Sequence, residues 1–115
     1  PCIKGTWGHQ ILDELAPEPD DMIVDKAAFN DFHNSLLDKV LRVQGVETPI
    51  LTGVSSHAGV IGTFFGFLDY GYDFFIAREC VTGYDPELHE SAMNIMRPHT
   101  MGVAEILAAW SGTAP

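Results

Sequence analysis

Basic residues are scarce. Six lysines and arginines stand against sixteen aspartates and glutamates, a formal charge of −10. Such a surface repels phosphate backbones and anionic headgroups over about 8 Å at physiological salt, so neither nucleic acid nor a membrane is an expected partner. The acids sit singly at element ends or on helix faces, as a solvated surface does. Cysteine is scarcer still: Cys2 and Cys80 lie far apart, with no CxxC and no Cys/His metal spacing. A disulfide framework and a zinc site are therefore not indicated, and a reducing cytoplasm fits. The longest apolar stretch, Gly59 to Leu68, falls far short of the roughly 20 residues that cross a bilayer. No basic segment with a cleavage site precedes it.

Several motifs are missing too. His9, His33, His57, His89 and His99 give no HExxH or other helical metal pair. Gly53, Gly59 and Gly62 do not form GxGxxG, and no lysine follows them as in a phosphate loop. No metal and no cofactor is expected.

What remains is a chain of 115 residues, 46% hydrophobic and 19% charged, ordinary for one globular domain. Residues 1–10, PCIKGTWGHQ, read as a loop, followed by a short helical turn at Ile11, Leu12 and Leu15 that ends at Pro17. Met22, Ile23 and Val24 form a short apolar run, expected as a first buried strand. Asn34 or Ser35 caps a helix through Gln44 with Leu36, Leu37, Val40 and Leu41 on one face, and Gly45 stops it. Ile50 to Val54 reads as a second strand, Gly59 to Tyr70 as an apolar helix facing the sheet with Val60, Phe64, Phe67 and Leu68, and Asp73 to Ala77 as a third strand. Asp85 before Pro86 opens a helix to about Arg97, with Ala92, Ile95 and Met96 facing the core. A strand near His99 to Met101 and a helix from Val103 to Trp110 close the chain. Strands alternating with helices imply βαβ crossovers and an α/β domain: a mostly parallel, doubly wound, Rossmann-like sheet with helices on both faces. In such sheets ligands bind beyond the carboxyl ends of the strands.

Three segments lie at those ends, and their residues resemble the isochorismatase-like cysteine hydrolases, which include nicotinamidases, N-carbamoylsarcosine amidases and ureidoacrylate amidohydrolases. Gly5, Thr6, Gly8, Ile11, Glu14 and Leu15 are similar to the run GTxGxxIxxEL. Lys26 stands where the family has a strand-ending lysine before an aromatic-rich loop, here with Phe29 and Phe32. Thr52 to Thr63 resembles TGVxTNVCVxxT, with His57 and Gly59 departing from it. YDPELHESA resembles DPxxHExA, and Cys80 matches a common non-catalytic cysteine.

The resemblance implies an aspartate, lysine and cysteine triad acting on a small amide, ureide or related substrate. The lysine maps to Lys26 and the cysteine to Gly59, while the aspartate belongs to a strand expected to be absent. The chain, residues 1–115, is thus expected to be a C-terminal portion of such a domain, with its sheet incomplete on the N-terminal side. Val54, Ser55, Ser56 and Ala58 are expected around the substrate and its oxyanion, with a cis peptide joining Val54 and Ser55; Asn30 and Phe32 are further pocket candidates. At a helix N-terminus beside a lysine a thiol becomes a thiolate and a nucleophile, and glycine deletes that sulfur. Ser55, Ser56 and His57 in a row also permit a plainer reading, hydroxyls satisfying the turn backbone. Lys26 can likewise pair with Asp25 or Asp31 as any surface lysine would.

Two functions follow from different classes: an amidohydrolase of the cysteine hydrolase type, or a catalytically inactive domain that keeps the pocket for binding or assembly. Beyond a small-molecule ligand, the expected partner is a second copy of the chain or the missing N-terminal half. Either would cover an open strand edge.

Overall fold

The computed structural model describes residues 2–112; Pro1 and residues 113–115, which the expected domain includes, lie outside the described residues. Four helices and three strands alternate: α1 Leu37–Val43, β1 Ile50–Val54, α2 Ile61–Asp69, β2 Phe75–Thr82, α3 Pro86–Met96, β3 Thr100–Met101 and α4 Val103–Ser111. Among the described residues the strands form one sheet in the order β1-β2-β3, and both pairings are parallel. The α/β class read from the alternation is the class observed.

Local signals explain most boundaries. The Asp85 carboxylate accepts from the backbone N–H of Glu87 and of Leu88, both at 3.0 Å, and Pro86 takes the first helical position of α3. The expected cap at Asn34 or Ser35 is corrected: α1 begins at Leu37 with Leu36 at its N-cap and no side-chain cap, although the Leu37 N–H reaches the Ser35 hydroxyl at 3.2 Å. Gly45 follows α1 at φ 67°, a left-handed conformation in which a side chain would be strained.

The core gathers Phe32, Val60, Phe64, Phe67, Phe74, Ile76 and Met96, all nearly inaccessible to solvent. Each buried phenylalanine contributes roughly 2–3 kcal/mol of apolar transfer. The rings meet edge to face or stacked: Phe32 against Phe67 at 5.1 Å, Phe67 against Phe74 at 4.9 Å, Phe74 against His99 at 4.5 Å.

Three further expectations are corrected. Met22 to Val24 is coil, with Met22 and Ile23 exposed at 58% and 65%. A strand requires a hydrogen-bonded neighbour, and none of the three described strands lies beside this run. The strand expected at Asp73 to Ala77 begins at Phe75 and continues to Thr82, because Val81 and Thr82 regain the pairing with Gly53 and Val54 beyond an irregularity after Leu51. Leu68, Ile95 and Leu36 are exposed: Leu68 shares the face of Phe64 but opens the exposed C-terminal end of α2, Ile95 lies off the stripe of Ala92 and Met96, and Leu36 precedes α1. Among the described residues no helix is long and apolar enough to cross a membrane.

Candidate functional site

β1 ends at Val54, and the Val54–Ser55 peptide is cis, where the resemblance places one. The chain then makes a π-helical turn, Ser56–Val60, which runs straight into α2. Within it the Ser55 carbonyl accepts from both the Ala58 and the Val60 N–H at 3.1 Å. Gly59 stands half-buried on this turn, with room for a Cβ at ordinary contact distances. A Cβ built there would lie 3.5 Å from the Lys26 ammonium, 3.7 Å from the Val54 carbonyl oxygen and 3.8 Å from that of Phe29.

Lys26 arrives from the coil preceding α1. Its ammonium donates to the Phe29 carbonyl at 3.2 Å and pairs with Asp31 Oδ1 at 2.6 Å. Of the two acids open to it, Asp25 is held elsewhere, by Lys4 at 2.7 Å. The loop carrying Lys26 is seated on α2 by close approach of backbones. A Cβ on Gly62 would come within 3.1 Å of the Phe29 carbonyl carbon, and one on Gly66 within 2.7 Å of the Phe32 ring. Between these glycines Thr63, almost wholly buried, accepts from the Asp31 N–H at 3.0 Å. The small faces of Gly62 and Gly66 thus bring Lys26 to the turn after β1.

The other site candidates fall into two groups. Val54 is exposed, and Ser55, Ala58 and Gly59 are half-buried beside Lys26's approach. Phe32, Asn30 and Ser56 support from behind. Phe32 is core, stacked on Tyr70 at 4.6 Å, because the short-faced α2 draws its ring inward. Asn30 Oδ1 accepts from the Phe32 N–H at 2.9 Å, closing the loop on itself. Ser56 has no exposed surface, and its hydroxyl meets His89 Nδ1 at 2.9 Å. It therefore ties the turn to α3. The Ala58 N–H is committed to the Ser55 carbonyl, so it is not a free oxyanion donor.

Sequence reading named Asp31 as one possible partner of Lys26 but missed His89 as a member of this arrangement. His89 lies within the matched DPxxHExA segment, and its i+4 relation to the cap Asp85 places it in the first turns of α3, facing the sheet end. Asp31 carried no motif signal. His57 presents buried Nδ1 and Nε2 atoms without a hydrogen-bond partner among the described residues, its ring edge-on to Tyr84 at 4.7 Å. Among the described residues no group of three or more His, Cys, Asp and Glu side chains is placed to hold a metal.

A parallel sheet flanked by helices, with a lysine and a preceding cis peptide at the turn beyond one strand's carboxyl end, is an α/β fold with its candidate site at that end. The chain belongs to the isochorismatase domain family, whose pattern matches residues 1–107. It is 38% identical over 60 residues to the ureidoacrylate amidohydrolase RutB of Methylorubrum extorquens, a match covering 52% of this chain and 24% of that protein. An isochorismatase-like hydrolase from Alkaliphilus metalliredigens superposes with a TM-score of 0.89 at 31% identity, over 94% of this chain and 64% of that one. N-carbamoylsarcosine amidase from Thermoplasma acidophilum superposes at 0.73 and 25% identity, over 87% and 57%. The chain therefore spans under two thirds of the length of each of these relatives.

Proposed function

We propose that the Val54–Val60 turn and Lys26 form a small-molecule site of cysteine hydrolase design, which holds a small amide or ureide compound without forming a covalent intermediate. The observation that carries this reading is the space at Gly59, flanked by the Lys26 ammonium at 3.5 Å and holding no sulfur. The relatives named for ureidoacrylate and N-carbamoylsarcosine hydrolysis supply the amide and ureide class. The Ser56 hydroxyl on the same turn is enclosed and engaged by His89.

The hydrolase reading is favoured by the lysine and turn that remain. In that design a thiol, which Gly59 does not supply, would attack the substrate carbonyl, the amine would leave with the thiol's proton as the carbon–nitrogen bond breaks, and water would hydrolyse the resulting thioester. The two readings separate on one experiment. A panel of small amides and ureides is titrated into the chain while ammonia release is followed. Binding without turnover, lost in Lys26→Ala, is the expected result; turnover by the native chain that Lys26→Ala abolishes would overturn the non-covalent reading. Gly59→Cys tests the design, in the chain alone and with a relative's N-terminal half supplied.

A further inference from the structure

We propose that Asp31 is a specificity-determining residue of this site: by pairing with Lys26 it leaves the space at Gly59 electrically neutral, so that the space takes an uncharged hydrogen-bond acceptor and turns away a carboxylate. This rests on the location of the site proposed above and adds to it the charge of what enters.

An ammonium has three N–H donors. The Phe29 carbonyl at 3.2 Å and Asp31 Oδ1 at 2.6 Å are the partners of the Lys26 ammonium among the described residues. The ammonium is about one third exposed, and a remaining donor can serve an acceptor that enters beside Gly59, whose Cβ position lies 3.5 Å away. A lysine without a partner would draw a carboxylate there, but Asp31 already supplies the counter-charge. A second anion within a few ångströms would meet that carboxylate's repulsion. An amide or urea carbonyl takes the remaining donor and carries no such penalty.

Asp31 is held in place rather than hanging in solvent. Its N–H is bound by the enclosed Thr63 hydroxyl at 3.0 Å, and its carbonyl accepts from the Ser35 hydroxyl. The ion pair is still reachable, each side chain being about one third exposed, at 36% and 34%. It lines a groove of about 270 Å³ whose other walls are Met22, Val24 and Leu37.

A thiol introduced by Gly59→Cys makes the charge preference measurable without knowing the ligand. At Gly59 an added Cβ meets only ordinary contact distances, so the variant is expected to fold. Iodoacetamide and iodoacetate alkylate a thiolate identically, forming a sulfur–carbon bond and releasing iodide, and differ only in carrying an amide or a carboxylate. Cys2 and Cys80 are free and exposed and serve as internal references for the −10 background. Site-resolved mass spectrometry gives the amide-to-carboxylate rate ratio at each thiol.

The ratio at the introduced thiol is expected to exceed that at Cys80 by about tenfold, a step equivalent to ~1.4 kcal/mol. Adding Asp31→Asn is expected to lower it at least fivefold, with the Cys80 ratio unmoved, and adding Lys26→Met to raise it. A change of less than twofold on Asp31→Asn would overturn the proposal. Side-chain NMR of Lys26 in the chain with Gly59 retained gives a second measurement. Acetate is expected to shift that signal in Asp31→Asn and not in the native chain, and a shift of equal size in both would also overturn it. Should no amide bind while the alkylation ratio moves as stated, the small-molecule reading fails and the role of Asp31 stands; amide binding with an unmoved ratio is the reverse.

Discussion

The ammonium of Lys26 stands 3.5 Å from the point a Cβ on Gly59 would occupy, although one residue arrives on coil ahead of α1 and the other on the turn after β1. The loop between them is carried there by Gly62, Thr63 and Gly66 of α2. The consequences of that seating differ sharply from one glycine to the next.

Gly59→Ala is expected to raise stability by about 0.5–1 kcal/mol, because the site is helical, the new methyl meets nothing closer than 3.5 Å, and alanine loses less backbone entropy than glycine. Urea denaturation of the two chains measures it. A loss larger than about 1 kcal/mol would mean the space is not open.

Gly66→Ala is expected to do the opposite, costing about 1–3 kcal/mol, since its methyl would overlap Asn30 Oδ1 and the Phe32 ring at 2.7 Å. The same denaturation series tests it. A neutral result would show that the loop bearing Lys26 yields readily.

Ser56→Ala removes the hydroxyl that meets His89 Nδ1 at 2.9 Å in an enclosed place. A buried polar atom deprived of its partner costs about 1–3 kcal/mol, and the tie between the turn and α3 goes with it. We expect that loss of stability together with displaced Gly59 and Val60 amide signals in NMR. Unchanged amide shifts would assign the pair to α3 packing alone.

The Glu79 carboxylate accepts from the Val103 N–H at the start of α4 at 2.9 Å, and this hydrogen bond lowers its pKa below the ordinary 4.5. A group depressed on folding contributes stability that is present above its unfolded value and is lost as pH falls through the folded one. Glu79→Gln should therefore match the native chain least well near neutrality, and the two should converge as the pH is taken progressively below about 4.5. Parallel stability curves across that range would show that the hydrogen bond carries no linkage.

The outer edge of β1 has no partner strand among the described residues, and Trp7, Leu15, Ile23 and Phe29 are exposed. Unpaired edges and clustered apolar surface favour association. Sedimentation at micromolar concentration is expected to show a dimer or larger species of this chain. A stable monomer would show that the exposed groups are tolerated.

Much of the architecture was legible beforehand. The cap Asp85 with Pro86, the stop at Gly45 and the apolar stretch of α2 are local signals, since each depends on backbone groups a few residues away. The failures have one cause. Met22, Ile23 and Val24 look like a strand, yet strand formation depends on a neighbour that no local pattern records; Ile95 is apolar, yet which stripe faces the sheet is settled by the packing angle.

The candidate site divides in the same way. The alternation of strands and helices, the position of Lys26 before an aromatic loop and the glycine at position 59 are properties of the sequence by itself, because motif order and residue identity need no folding to be read. That Asp31 and not Asp25 pairs with Lys26, that Ser56 is shut away against His89, and that Phe32 turns inward were decided only by the tertiary structure. Each depends on backbones approaching at Gly62 and Gly66 and on α3 crossing the turn after β1. Such contacts between segments distant in the chain carry no local signature; they exist only once the segments are packed.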